Sequence, residues 1–141
     1  MNGYLLDTVT ISEAIVTRMN AGVSRWLKAV DESQAYLSVL TIGEIQKGAD
    51  RLEHSSQRRR DIEHWLMYSL IGRFGERILS FDVEVSQLWG SMVAASMNRG
   101  RLVPVVDSQI AATARLHSLT VVTRNDRDFK SLGVATLNPW S

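Results

Sequence analysis

The sequence predicts an α/β domain with a mainly parallel central sheet flanked by helices. Short apolar, β-prone runs alternate along the chain with longer stretches of helical periodicity, the order that builds a parallel sheet. The 141 residues, 45% hydrophobic and 22% charged, suit one core and a single domain spanning 1–141. No internal repeat, low-complexity tract or Pro/Gly/Ser-rich linker divides the chain, and the two prolines, Pro104 and Pro139, come late.

Tyr4-Leu5-Leu6 is the first strand candidate. Ile11 to Met19 and Val23 to Val30 have helix-compatible composition. Ala35 to Leu40 reads as a buried strand, after which Thr41 opens a helical stretch toward Leu52. Ser55 to Phe74 is a long helical pattern with Ile62, Trp65, Leu66, Ser69 and Leu70 on one face by the i, i+3, i+4 rule. Ile78 to Phe81 is a third strand candidate, and Val83 to Met97 a helix ended by Asn98-Arg99-Gly100. The apolar pair Val105-Val106 leads into Asp107, and Ser108 to His117 is a helix of small residues. Thr120 to Thr123 and Val134 to Leu137 are the last strand candidates before Asn138-Pro139-Trp140.

The net charge of +1 neither announces a nucleic-acid binder nor excludes one, because a metal held by carboxylates can face phosphate directly. The absence of cysteine excludes disulfides and thiolate metal sites and fits a reducing compartment such as the cytoplasm. MNGYLLDTVT lacks the basic n-region of a signal peptide, and no apolar run approaches the roughly 20 residues of a membrane helix.

In a parallel sheet, ligands bind beyond the carboxyl ends of the strands. Asp7 follows Leu5-Leu6, Glu44 follows the strand ending at Leu40, Asp107 follows Val105-Val106, and Asn125 and Asp128 follow Thr120 to Thr123. These junctions would gather on one edge. Carboxylates crowded together stay ionised only with a cation between them, and a hard ion such as Mg²⁺ or Mn²⁺ prefers oxygen ligands. Such a site is the expected chemistry of a phosphodiester nuclease. The competing reading is capping: Asp7 and Asp107 suit helix N-caps, and Thr41-Ile42-Gly43-Glu44 matches the T-x-x-E capping box.

Four segments resemble PIN-domain toxins of the VapC and FitB type. They are Leu5-Leu6-Asp7-Thr8 with Ile11-Ser12-Glu13; Leu37 to Ile45 with Lys47-Gly48; Val106-Asp107-Ser108-Gln109-Ile110-Ala111-Ala112-Thr113-Ala114; and Thr123-Arg124-Asn125 with Asp128-Phe129 and Leu137-Asn138-Pro139-Trp140. They span the chain in the family's order. The resemblance implies a PIN-like fold, a Mg²⁺- or Mn²⁺-dependent endoribonuclease acting on RNA, a homodimer, and a cognate antitoxin that is a small DNA-binding protein. It maps the family's acidic positions onto Asp7, Glu44 and Asp107. The sequence departs from the pattern in two places: Val9 replaces the usual Asn, and the fourth position falls on the amide Asn125, leaving Asp126 or Asp128 to supply a charge.

Other features take plainer readings. His54, His64 and His117 lack metal-ligand spacing. Arg58-Arg59-Arg60 fan out around a helix, as RNA contacts or as a solvated face. Trp26, Trp65, Trp89 and Trp140 suit core or interface anchors better than base-stacking platforms. Arg124 suits phosphate binding and pairing with the acidic cluster equally. A receiver-type phosphoacceptor domain would need paired acidic residues after the first strand and a late Lys, and Asp7 and Thr123-Arg124-Asn125 supply neither. A haloacid-dehalogenase-like phosphatase would need Asp-x-Asp, which Asp7-Thr8-Val9 fails. A non-catalytic relative of the PIN fold, a binding module, remains the alternative.

Overall fold

The computed structural model describes residues 3–141. Five strands form a sheet in the order β3-β2-β1-β4-β5 with every pair parallel: β1 is Tyr4–Leu6, β2 Ala35–Ser38, β3 Ile78–Leu79, β4 Thr120–Val122 and β5 Thr136–Leu137. The chain moves outward on one side of β1 and then returns to build the other side from β4. The reversal leaves a crevice at the carboxyl ends of β1 and β4, where an α/β sheet places its ligand site.

Helices cover both faces, as an all-parallel sheet requires. They are α1 (Thr8–Ser12), α2 (Ala21–Ala29), α3 (Val39–Asp50), α4 (Gln57–His64), α5 (Gly72–Phe74), α6 (Val83–Asn98), α7 (Val105–His117) and α8 (Asp126–Ser131). Successive strand residues point to opposite faces. Leu5 and Val121 therefore join Val85, Ile110 and Phe129 on one side, while Leu6 and Val122 join Ile11, Ile45 and Leu70 on the other. Trp26, Trp65 and Trp89 pack against these clusters, as anchors. No helix among the described residues is long and apolar enough to cross a membrane.

Four sequence-based expectations need correction. Instead of a helix from Ile11 to Met19, the short α1 is followed by a 3₁₀ turn over Glu13–Ile15, with Val16 extended beyond it. The strand expected to reach Leu40 stops at Ser38, whose hydroxyl caps α3, so Val39 and Leu40 are helical. Val105 and Val106 are the first helical residues of α7 after Pro104, not a run preceding the helix. The Ser55–Phe74 pattern splits into α4, a π-wound stretch over Trp65–Ile71, and α5. α6 ends as expected, with Gly100 at φ 71° donating its N–H to the Met97 carbonyl at 2.8 Å.

Candidate active site

Asp7 stands at the end of β1, where its N–H bonds the Val122 carbonyl of β4 at 3.1 Å. Its Oδ1 accepts from the Thr10 N–H at 2.8 Å, capping α1, and its Oδ2 accepts from the Thr123 hydroxyl at 2.6 Å. The side chain is therefore both a cap and a buried carboxylate with fixed orientation; the residue is 5% exposed.

Asp107 approaches from the first turn of α7. It is half-buried, and burial pushes its carboxyl pKa up; the Asp7, Glu44 and Asp128 charges push the same way, while an Asn125 hydrogen bond opposes them. Asp7 and Asp107 line one cleft of about 310 Å³ together with Val9, Arg124 and Asn125. Among the described residues no Lys or Arg forms an ion pair with Asp7, Asp107 or Glu44.

Glu44 lies in the sixth position of α3, and the helix is capped by Ser38 Oγ, which accepts from the Leu40 N–H at 3.0 Å. Thr41 is thus interior to the helix, and its hydroxyl bonds Thr8 Oγ1 at 3.0 Å; the T-x-x-E segment is not a capping box here. Glu44 Oε1 accepts from Thr8 Oγ1, and the residue borders a neighbouring groove with Ser12, Ile45 and Arg58. Its charge reaches Asp107, but it does not line the Asp7–Asp107 cleft. Among the described residues, no three Asp, Glu, His or Cys side chains come close enough to share one ion.

Asn125 precedes α8 without capping it. Its Nδ2 donates to Asp107 Oδ2 at 3.2 Å and to Asp128 Oδ2 at 2.9 Å. Asp128, in the first turn of α8, gives its other oxygen to Arg101 at 3.1 Å and does not line the cleft. Asp126 pairs with Lys130 at 3.4 Å instead of entering the site. Val9, 53% exposed, presents an apolar wall to the cleft where the family pattern would put an amide.

The family model for the PIN domain matches residues 4–135. The chain belongs to the PIN-domain family. It is 35% identical to "Toxin FitB" of Neisseria gonorrhoeae over 96% of this chain and 97% of the relative. It is 29% identical to "VapC ribonuclease Y4jK" of Sinorhizobium fredii, over 96% of each. The solved structure of FitAB bound to a DNA fragment superposes with a TM-score of 0.91 at 33% identity, covering 98% of this chain and 96% of that one.

Around the cleft of this PIN domain, the remaining side chains sort by contact. Arg58 donates to the Ile15 carbonyl at 3.0 Å, Arg59 bridges Asp50 and Glu63, and Arg60 donates to the Ser55 carbonyl at 2.8 Å, so all three are tied down locally. His54 and His64 are exposed and His117 half-buried. Arg124 does not pair with the acidic cluster among the described residues: it is exposed, lies 4.6 Å over the Trp140 ring, and borders the cleft. Sequence reasoning missed Thr8, Thr123 and Arg101. The first two are hydroxyls beside Asp7 and at the end of β4, a signal visible in the sequence; Arg101 carries none.

The donor set fits a hard divalent cation. Among the described residues Asp7 is a buried carboxylate without a cationic partner, Asp107 and Asn125 bring further oxygen atoms to the same cleft, and Mg²⁺ binds through one or two carboxylates while keeping waters.

Proposed function

We propose that this PIN domain is the toxin of a type II toxin–antitoxin system: an endoribonuclease that depends on Mg²⁺ or Mn²⁺ and hydrolyses RNA phosphodiester bonds in the cytoplasm. The observation that carries the reading is the convergence of Asp7 and Asp107, from β1 and α7, on one cleft without a Lys or Arg partner among the described residues. The toxin and ribonuclease names of its relatives support it.

Asp7 and Asp107 would hold the cation, with Glu44 adding negative charge from the adjoining groove. When bound, the ion supplies an acidified water and offsets charge on the phosphoryl group. Asn125 orients groups in the cleft as a neutral amide. Glu44, held by Thr8 at the edge of the adjoining groove, would serve as the base for a water that reaches it from the cleft. Arg124 at the rim receives a substrate phosphate. The antitoxin would lay a segment across the domain and send an Arg or Lys toward the acidic cleft, excluding the cation. The protein would act as a homodimer, as the resemblance implies.

A non-catalytic binding module is the second reading, favoured by the apolar Val9 and the offset Glu44. Incubating purified protein with RNA in Mg²⁺ or Mn²⁺ separates the two. Cleavage that stops in excess EDTA and in Asp7→Asn upholds the nuclease, and intact RNA under all conditions upholds the module.

A further inference from the structure

Asn125 is an amide where a fourth carboxylate is expected, and both side chains beside its Nδ2 are carboxylates. An amide oxygen turned toward them would meet only acceptors, so the nitrogen must face them and both of its protons are used. That leaves Oδ1 as the amide atom free of either carboxylate, on a residue that lines the cleft.

The device holding this arrangement runs outward. Asp128 spends Oδ2 on Asn125 and Oδ1 on Arg101 Nη2, leaving neither oxygen directed at the cleft by its bonds. The two charged side chains are 33% and 26% exposed, so this pair is more shielded than an ordinary surface bridge and is worth more. Arg101 is itself set by the end of α6: its N–H donates to the Ser96 carbonyl at 3.0 Å, and its carbonyl accepts from the buried Ser96 hydroxyl at 2.9 Å. Among the described residues its buried Nε finds no hydrogen-bond partner, a cost that a merely solubilising arginine would avoid.

We propose that Arg101 and Asp128 are a positioning pair that fixes the Asn125 carboxamide with Oδ1 presented to the cleft, as a neutral oxygen for the cation or one of its waters, and that Asp128 is not a ligand. Arg101 offsets part of the charge of Asp128 and draws that carboxylate away from the ion. Only the kinetic arm of the test rests on the proposed nuclease reading.

The test uses the full chain and the variants Arg101→Gln, Arg101→Lys, Asp128→Asn and the double Arg101→Gln/Asp128→Asn, with Asp107→Asn as reference. Three quantities are read: the Asn125 side-chain amide signals by NMR, identified by their loss in Asn125→Ala; the Mn²⁺ dissociation constant by calorimetry; and kcat and KM for RNA. Arg101→Gln and Asp128→Asn should each speed exchange of the Asn125 amide protons about tenfold, the equivalent of one lost hydrogen bond. They should lower kcat by about tenfold with KM unchanged, the double variant should be no worse than either single one, and Arg101→Lys should recover part of the loss. Asp128→Asn should weaken Mn²⁺ binding by no more than about tenfold, and Asp107→Asn by far more. Equal loss of Mn²⁺ in Asp128→Asn and Asp107→Asn would make Asp128 a ligand and overturn the proposal. Unchanged amide signals in both single variants would reduce the pair to a structural contact and overturn it equally. A wild-type chain that cleaves no RNA would defeat the nuclease reading alone, with the amide and Mn²⁺ measurements still deciding the pair.

Discussion

Thr8 Oγ1 donates to Glu44 Oε1 while sharing a second hydrogen bond with Thr41 Oγ1, so α1 and α3 are stitched together by three side chains beside the cleft. Glu44 lies inside α3, outside any capping box, so its charge is free for the purpose proposed for it in RNA cleavage.

Glu44→Gln tests that purpose. A glutamine retains an oxygen that accepts from Thr8, and Ser38 still caps α3, so the melting curve should stay nearly native. Loss of the negative charge should lower RNA cleavage by about 10²-fold or more. Full activity would show that Glu44 serves only the Thr8–Thr41 contact.

Asp7 joins two roles that different substitutions separate. Asn caps a helix about as well as Asp, so Asp7→Asn should keep the fold and abolish cleavage. Asp7→Ala should lose cleavage and also about 1 kcal/mol or more of stability, because α1 loses its cap and the Thr123 hydroxyl its acceptor. Denaturant unfolding beside the cleavage assay checks both. An active Asp7→Asn would remove Asp7 from the chemistry.

Asp107 makes stability depend on pH when metal is withheld. Burial, then its acidic neighbours, raises its pKa above the ordinary 3.8. The folded chain therefore holds this proton to higher pH than the unfolded chain does, and ionised Asp107 costs stability above the raised value. That cost fades as the pH falls through the raised pKa and is gone below 3.8. In EDTA, Asp107→Asn should melt above wild type at neutral pH, and the gap should close in acid. A gap constant across the titration would show that charge is not its source. Added Mg²⁺ should raise the wild-type Tm and leave the variant's nearly unmoved.

Arg124 is exposed at the rim and lies against the Trp140 ring. Arg124→Gln should raise KM for RNA with little change in kcat. The slope of log affinity against log salt should fall by about 0.7, the share of one phosphate contact on a single strand. An unchanged salt slope would assign Arg124 to the Trp140 contact alone.

Expression of the chain by itself should arrest growth, and co-expression of a small DNA-binding protein encoded next to it should restore growth. Digesting that partner away from the purified pair should restore cleavage. Harmless expression of a correctly folded chain would favour the non-catalytic reading.

Much of this was legible in the sequence, and the misreadings share a cause. The strand–helix alternation and the position of Asp7 came from periodicity, which local sequence encodes well. Val39-Leu40 reads as strand and Val105-Val106 as an apolar run ahead of a helix, because β-branched and apolar residues favour extended chain, but Ser38 and Pro104 stand before them and start helices. Moving the start of α3 back to Val39 turned the apparent capping box of Glu44 into an interior helical position. The Arg101–Asp128 pair joins positions 27 apart through tertiary packing, and no local pattern marks it. Asn125 was visible as a departure; its pairing with two carboxylates was not.

The hydrogen bond between Thr123 and Asp7 spans 116 positions of the chain. β1 has its partner β4 only after the chain has been made through Val122, and α7 with Asp107 comes just before it. A growing chain therefore carries Asp7 with its Thr10 contact but without Thr123 or Asp107 until α7 and β4 have been made, since contacts so distant in sequence close late. A centre assembled from parts so far apart stays incomplete while β1 to α6 are being made, and becomes whole only when α7 and β4 join β1.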